Sequence, residues 1–200
     1  MFTGIIEEVG RLVEVTPYGG GRKLKIKSGF ASELKPDQSV AVNGACQTVV
    51  AADDETFEVV AIEETLRKTT FGEFAQDMPL NLERAMPTNG RLDGHFVLGH
   101  VDATGTVSSV ELEETNWLIE VVFDEEYEAY VIPVGSITID GISLTVARLE
   151  SNRLTVAIIP HTYEHTNVST WKVGTRVNLE FDMIGKYVVR WLDRSQVATS

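Results

Sequence analysis

The chain is poor in several features that define common protein classes. Among its 200 residues it has one cysteine, Cys46, and 6 prolines. A single thiol forms no intramolecular disulfide and supplies no multi-cysteine zinc or iron–sulfur site. The sequence has no run of about 18 apolar residues, so we expect no membrane-spanning helix. The amino terminus lacks the basic segment of a secretory signal, and we expect a cytoplasmic protein.

Basic residues are scarce relative to acidic ones. The chain has 17 lysines and arginines against 30 aspartates and glutamates, which gives a formal net charge of −13. A surface this acidic repels phosphate backbones and anionic lipids, which argues against nucleic-acid and membrane partners. Hydrophobic residues make up 43% of the chain, enough for one large domain or two small ones with separate cores.

Common cofactor and hydrolase fingerprints are also missing. The sequence contains no G-x-x-x-x-G-K-[ST] loop, no G-x-G-x-x-G between a strand and a helix, and no G-x-S-x-G elbow. Their absence argues against nucleotide hydrolysis, dinucleotide redox chemistry and the usual serine hydrolases. We therefore expect no cofactor.

An internal repeat is the clearest positive signal. Residues 39–49 (SVAVNGACQTV) match residues 136–146 (SITIDGISLTV), and the same alignment places 81–83 (NLE) on 178–180 (NLE) without a gap. Gly4 to Ile6 similarly matches Gly99 to Val101. Several matches in the same order indicate two copies of one module.

Each module has the pattern of a small β-barrel. Apolar residues alternate with polar ones, as at Leu24 and Ile26, and turn signals such as Asn43–Gly44 and Asp140–Gly141 separate the alternating runs. About six short strands per module favour a closed barrel. The predicted fold is all-β, with barrels at residues 1–90 and 91–183.

A helical period replaces this alternation at the carboxyl end, where residues 184–200 form a predicted amphipathic helix and tail. Its apolar positions, spaced by three and four residues, are Ile184, Tyr187, Val188, Trp191 and Leu192. The helix either docks on its own barrel or pairs with the same helix in other subunits. Because the repeat offers it no partner, we favour oligomerisation.

The four histidines are candidates for metal binding or proton transfer. His95 and His100 are five residues apart, which places them on opposite faces of a strand, and His161 directly follows an apolar strand although its spacing to His165 suits a helix. We therefore expect no metal site. His100 follows a glycine that permits close approach to a ligand, so proton transfer is one interpretation. A hydrogen-bonded structural histidine at the barrel junction is the other.

The repeated segment predicts two related pockets. Cys46 and Thr48 share one strand face, and Ser143 and Thr145 share the matching face in the second module, because residues two apart lie on the same side. Such faces suit the binding of a polar aromatic heterocycle. The alternative is that serine and threonine simply favour strands near turns.

Taken together, the motifs resemble the riboflavin synthase family of the alpha-chain type, built from tandem lumazine-binding repeats. The resemblance covers about residues 1 to 195 and depends most on 1–5 (MFTGI), 42–46 (VNGAC), 94–102 (GHFVLGHVD), 139–146 (IDGISLTV) and 177–180 (VNLE). It implies two six-stranded Greek-key barrels, a C-terminal helix that joins three subunits into a homotrimer, and lumazine synthase as a further candidate partner.

The resemblance also implies a reaction. Two molecules of 6,7-dimethyl-8-ribityllumazine undergo dismutation, in which one donates a four-carbon unit to the other and gives riboflavin and 5-amino-6-(ribitylamino)pyrimidinedione. In the family each barrel binds one molecule, and the productive pair forms between neighbouring subunits. The alternative within the same fold is a non-catalytic protein that binds a lumazine or flavin as a fluorophore.

The resemblance further implies the site residues. The N-terminal pocket would use Gly4, Ile5, Ile6, Cys46, Gln47, Thr48, Val60, Ala61, Ile62, Glu63, Glu64, Thr65, Gly99, His100 and Val101. The C-terminal pocket would use Ser143, Leu144, Thr145, Ile159, Pro160, His161, Thr162, Tyr163 and Glu164. In these pockets His100 would transfer protons, Ser143 and Thr145 would polarise or deprotonate the partner substrate, and Cys46 would assist addition at ring carbon 7.

Three positions depart from the family pattern. Val134, also a predicted substrate-binding residue, stands where many members have a lysine, so a cationic contact with the neighbouring subunit's ligand is missing at this position. Gln47 replaces a usual leucine, and Leu98 replaces a usual polar residue.

Overall fold

Two closed six-stranded barrels and a C-terminal helix make up the computed structural model, which describes residues 1–197. The strands of the first barrel are β1 (Glu8–Tyr18), β2 (Gly21–Lys27), β3 (Ser39–Val42), β4 (Ala45–Ala52), β5 (Thr56–Ala61) and β6 (Pro79–Arg84). Those of the second are β7 (Ala103–Leu112), β8 (Trp117–Val122), β9 (Ser136–Ile139), β10 (Ile142–Glu150), β11 (Arg153–Ile158) and β12 (Arg176–Phe181). The α-helices are α1 (Glu63–Lys68), α2 (Pro160–His165) and α3 (Met183–Val197).

Both barrels have the same antiparallel topology. The first barrel has the strand order β1-β2-β5-β4-β3-β6, and the second, taken from β7, has the order β7-β8-β11-β10-β9-β12. The predicted fold of two tandem six-stranded barrels followed by a helix is confirmed. Residues 85–102 lie between the last strand of one barrel and the first of the next, and the domain boundary at residue 90 stays a prediction.

Alternation along the strands gives each barrel its own core. On β5, Phe57, Val59 and Ala61 are fully buried, while Glu58 and Val60 between them are only half-buried. Bulges interrupt the register in β1 between Leu12 and Glu14 and at the matching point in β7. Such bulges bend the sheet, which helps it to close.

Backbone contacts and a buried amide network join the two barrels. Asn81 Nδ2 donates to the Asp140 carbonyl at 2.9 Å, and the equivalent Asn178 Nδ2 donates to the Asn43 carbonyl at 2.8 Å. Between these bonds the Gly44 and Gly141 turns meet; a Cβ on Gly44 would lie 2.6 Å from the backbone nitrogen of Gly141. The two modules are therefore related by an approximate twofold axis through this junction.

The C-terminal helix α3 begins directly after β12. The apolar positions that predicted it are exposed, with Ile184 at 61% and Trp191 at 69%. Residues 198–200 of the predicted tail lie outside the described residues. In the part of the chain that the structure describes, no helix is long and apolar enough to cross a membrane.

Candidate active site

Two short segments cross between the barrels and carry the glycines and His100 of the predicted site. Phe2 and Val97 pair across the junction through backbone hydrogen bonds of 2.7 and 3.2 Å. From this pair, Gly4 of the first module reaches the second barrel, where its carbonyl accepts the Ser143 N–H at 2.7 Å. Gly99 of the second module reaches the first barrel and accepts the Cys46 N–H at 2.8 Å. The modules thus exchange their leading segments.

This exchange corrects the predicted composition of the two pockets. Gly4 and Ile6 were assigned to the pocket of Cys46, but Gly4 contacts Ser143 and Ile6 packs on the core of the second barrel. Ile5, between them, is exposed and lines a different cavity, which includes Ser39 but not Cys46. The resemblance implies that these residues bind substrate, but the sequence does not show which barrel the amino-terminal segment covers. Their role in binding stays a prediction, now at the second site.

Glycine is required where each crossing segment meets its strand. Gly4 and Gly99 have φ values of +78° and +75°, a region that favours glycine. A Cβ on Gly4 would lie 2.6 Å from the Ser143 Cβ, and a Cβ on Gly99 would lie 2.7 Å from the Cys46 Cβ. The absent side chains let both segments lie directly on the strands of the site.

The first site is the outer face of β4 and β5. Cys46 is half-buried, Thr48 is exposed, and Val60 stands beside them on the neighbouring strand. An open cleft of about 520 Å³ continues past Val60 and Ile62 to the first turn of α1, where Glu63 and Glu64 line it. His100 is exposed, and Val101 packs against the core of this barrel. Arg67 also lines this cleft and, with Lys68, forms ion pairs with Glu64. The first site therefore joins a strand face of mixed polarity to a group of paired charges.

Two residues assigned to this pocket point away from it. The Gln47 side chain is buried and its Nε2 donates to the Cys46 carbonyl at 2.8 Å, while Ala61 is fully buried in the barrel core. Strand alternation requires this, because both residues neighbour an outward-facing position. Their side chains face the barrel interior, so a role of Gln47 and Ala61 in binding, which stays a prediction, would use their backbone groups.

The second site contains a hydrogen-bonded histidine that the list of predicted site residues did not include. His95 Nδ1 lies 2.7 Å from Ser143 Oγ, and its Nε2 lies 3.2 Å from Thr138 Oγ1. Burial lowers the pKa of His95, although the charge of Asp182 opposes this, so the imidazole is held neutral. With the proton on Nε2, Nδ1 can accept the proton of the Ser143 hydroxyl.

Helix α2 brings further predicted residues to the second site. It contains both His161 and His165, whose rings stack at 4.2 Å, so their spacing of four residues belongs to a helix that begins shortly after the apolar strand β11. Pro160 at the first helical turn is a start signal that could have identified the helix. The Tyr163 ring stacks on Trp117 at 3.8 Å. The remaining predicted residues at this end are exposed Ile159, half-buried Thr162 and exposed Glu164.

The other predicted residues lie on strand β10, on helix α1 and in the turn before β9. Ser143 and Leu144 are half-buried on β10, and Thr145 beside them is exposed. Thr65, on α1, is half-buried. Val134 is 79% exposed in the turn before β9, with φ at +62°.

Buried glutamates hold both crossing segments. Glu83 accepts the N–H groups of Thr3 at 2.6 Å and Gly4 at 3.0 Å. Glu180, its repeat partner, accepts those of Leu98, Gly99 and His100 at 2.7, 2.9 and 3.0 Å. Burial raises the pKa of both carboxyls, and these hydrogen bonds oppose that rise. The repeat of the sequence NLE at residues 81–83 and 178–180 could have indicated that both glutamates have the same structural role.

The described part of the chain, residues 1–197, has no evident metal site. The residues described there form no group of three or more histidine, cysteine, aspartate or glutamate side chains that could hold a metal ion. The two sites contain hydroxyl groups, a cysteine and two histidines, side-chain types that can bind ligands and transfer protons.

Comparison with known proteins identifies the same two units. The family model described as "Lumazine binding domain" matches residues 3–85 and again residues 98–182. A riboflavin synthase from Actinobacillus pleuropneumoniae is 40% identical, over 96% of this chain and 90% of the relative. The riboflavin synthase of Bacillus subtilis (strain 168) is 39% identical, over 98% and 91%, and that of Saccharomyces cerevisiae is 33% identical, over 94% and 84%.

A solved structure shares the fold. The crystal structure of LumP complexed with riboflavin superposes with a TM-score of 0.84 at 21% identity, and the match covers 90% of this chain and 99% of that one. At this identity the likeness concerns the fold alone. The two matched domains and the nearly full-length relatives show that the chain belongs to the riboflavin synthase family, which is built from tandem lumazine-binding domains.

Proposed function

We propose that the chain catalyses the dismutation of 6,7-dimethyl-8-ribityllumazine in riboflavin biosynthesis. Two substrate molecules react, and riboflavin and 5-amino-6-(ribitylamino)pyrimidinedione leave. The observation that carries this proposal is the presence of two related sites, one on each barrel, in a member of the riboflavin synthase family. A reaction between two molecules needs two binding positions, and two related barrels can supply one each.

The first contribution of the protein is proximity. Two heterocycles held face to face lose their translational freedom before the bond-forming step, which accelerates a bimolecular reaction strongly. The strand faces of Cys46 with Thr48 and of Ser143 with Thr145 each suit one flat ring. Glu64 and Thr65 on α1, and the matching residues on α2, lie where a polyhydroxylated ribityl chain would extend.

The second contribution is proton transfer, which we assign mainly to the second site. Ser143 has an imidazole partner in His95, and this neutral base can draw the hydroxyl proton and favour removal of a proton from the 7-methyl group of the substrate. Thr145 would hydrogen-bond the ring and stabilise the resulting negative charge. In the first site, His100 would transfer protons and Cys46 would assist addition at ring carbon 7.

We further propose that the protein works as a cytoplasmic homotrimer. The exposed apolar residues of α3 support assembly, since an apolar face of this kind is stabilised when it is buried against another subunit. The first site of one subunit would then face the second site of its neighbour. The free, half-buried thiol of Cys46 suits a reducing compartment, and lumazine synthase is the proposed supplier of substrate.

The test mixes the purified chain with 6,7-dimethyl-8-ribityllumazine alone and follows riboflavin absorbance. Turnover without an added cofactor supports the proposal. Tight binding without turnover would instead indicate a fluorophore carrier, and no binding would overturn both functions.

Two variants and one control test the proposed roles. Ser143→Ala and His100→Gln should each lose turnover while the fold is retained. Ser109→Ala, which removes a β7 hydroxyl bonded to Glu111, is the matched control. Unchanged turnover in His100→Gln would remove the role assigned to that residue.

A further inference from the structure

Asp102 ends the GHFVLGHVD motif, yet the site described above does not use it. Its Oδ2 accepts the N–H of Phe181 at 2.9 Å, and its own N–H donates to the Leu179 carbonyl at 2.9 Å. Lys186 Nζ donates to both carboxylate oxygens, at 3.0 and 2.8 Å. The two side chains are only 22% and 26% exposed, so this ion pair is more shielded from water than a surface pair. Asp102 thereby connects three elements: the crossing segment, β12 and α3.

The first module has the same connection with a different cation. Glu7 occupies the position that corresponds to Asp102 and accepts the N–H of Arg84 at 2.6 Å. The guanidinium of the same Arg84 also donates to Glu7, at 2.6 and 2.9 Å. In the first module the cation therefore belongs to the barrel strand β6, whereas in the second module it comes from outside the barrel, on α3.

This difference affects the segment that carries His100. Glu180 accepts the His100 N–H, and Asp102 fixes the same segment two residues later. The Lys186 charge stabilises the carboxylates on both sides of His100: it lowers the pKa of Glu180, which burial chiefly raises and Asp102 raises further. Without this cation, two carboxylates would face each other beneath the segment.

We propose that Lys186 is a positioning residue for His100, and that its ion pair with Asp102 makes the geometry of the first site depend on the seating of helix α3. The proposal rests on the proposed function for the role of His100 in turnover. The placement of the segment itself can be measured without any reaction. The side-chain amine of Lys186 is hydrogen-bonded to Asp102, and its charge acts on Glu180, so among the described contacts it reaches the site through these two carboxylates.

The pH dependence follows from the groups around Glu180. Lys186 faces it from α3, Asp102 faces it from the crossing segment, and Tyr127, from the 3₁₀ turn Glu125–Tyr130, interacts with Asp102. The carboxylate must be ionised to accept three N–H groups. Replacing Lys186 by a neutral residue raises the pKa of Glu180, so the segment should be released at a higher pH. The acidic limb of the pH profile for turnover then moves to higher pH.

The experiment compares Lys186→Met, Lys186→Arg and the control Lys27→Met in the full chain. Lys27 forms an exposed ion pair with Glu55 that is also 2.8 Å long, remote from both sites. For Lys186→Met we expect kcat to fall about ten-fold with KM changed less than about two-fold, because the loss is one of alignment. The acidic limb should shift upward, and Lys186→Arg should restore both properties. Unchanged kcat and an unshifted acidic limb in Lys186→Met would overturn the proposal.

Hydrogen exchange separates this proposal from the proposed function. In the ligand-free protein, peptides covering residues 97–102 should exchange about ten-fold faster in Lys186→Met than in the parent or in Lys27→Met. If the parent binds lumazine but makes no riboflavin, the proposed function fails while this measurement still decides the placement. Unchanged exchange at residues 97–102 refutes the positioning role whatever the activity.

A second variant covers the case in which Lys186→Met does not fold. Asp102→Asn keeps the shape of the side chain and an acceptor for Phe181 N–H but removes the charge that Lys186 binds. It should lower kcat and speed exchange at residues 97–102, but without the upward shift of the acidic limb, because the Asp102 charge raises the pKa of Glu180. Unchanged kcat and exchange in Asp102→Asn would overturn the proposal. Where Lys186→Met folds, the double variant should lose no more kcat than either single one. Additive losses would mean that the two residues act separately and would reject the coupling.

Discussion

Replacing Gly99 by alanine tests the close approach on which the first site depends. A Cβ at this position would lie 2.7 Å from the Cys46 Cβ and 2.9 Å from the Cys46 backbone nitrogen. Ordinary carbon contacts begin near 3.5 Å, so the crossing segment must withdraw from β4 by roughly 1 Å. That movement breaks the 2.8 Å hydrogen bond from Cys46 N–H to the Gly99 carbonyl and displaces the adjoining His100.

The expected loss of stability in Gly99→Ala has two parts, and a matched control separates them. Alanine at a positive φ costs about 1–2 kcal/mol, and overpacking adds about 1–3 kcal/mol. Gly174 has φ at +90° with nothing within 4 Å of its Cβ position, so Gly174→Ala should show the conformational cost alone. We expect Gly99→Ala to lose about 2–5 kcal/mol of unfolding free energy, and turnover to fall about 100-fold, since misplacement by 1 Å can cost this much.

Urea unfolding and riboflavin formation are the two measurements. Gly174→Ala should keep its turnover, since this turn touches neither site. If Gly99→Ala is no less stable than Gly174→Ala and reacts at the parent rate, then the segment does not lie on β4 as described and the geometry of the first site is incorrect.

Three further predictions concern the second site, the barrel junction and α3. His95→Gln should slow turnover by about 100-fold or more while lumazine fluorescence titration still detects binding, and an undiminished rate would reject the pairing of His95 with Ser143. Burial raises the pKa of Asp140 to about 7, against an ordinary value of 3.8, so the folded state binds this proton more tightly than the unfolded chain. The free energy of unfolding should therefore fall by roughly 2–4 kcal/mol as the pH rises from about 4 to about 7. In urea titrations at different pH values, Asp140→Asn should lack this pH dependence of stability. Trp191→Ser should reduce the assembled fraction in sedimentation experiments, and an unaffected oligomer would exclude α3 as the contact.

Local patterns explain which parts of the fold the sequence could predict. The alternation at Leu24 and Ile26 and the matching segments 39–49 and 136–146 are properties of neighbouring residues, and they predict strands and a duplicated barrel correctly. The same alternation, applied to Gln47 and Ala61, would have predicted their inward orientation. Local sequence patterns were therefore sufficient to predict the architecture and the orientation of side chains on the strands.

Long-range placement explains what the sequence could not predict. His95 depends for its role on Ser143, far along the chain, and no local pattern encodes that contact. Gly4 and Gly99 align well in sequence, but the barrel that each covers follows from how residues 85–102 cross the junction. Only the three-dimensional structure assigns these residues to their sites.

The reciprocal exchange of the crossing segments bears on how the chain evolved. A single ancestral module would have lacked a covering segment for its own strand, and two copies would have completed each other as a symmetric dimer through pairing at the positions of Phe2 and Val97. Gene duplication and fusion would place that dimer in one polypeptide and free its halves to diverge. Cys46 at one site, and Ser143 with His95 at the other, are the differences that such divergence would leave.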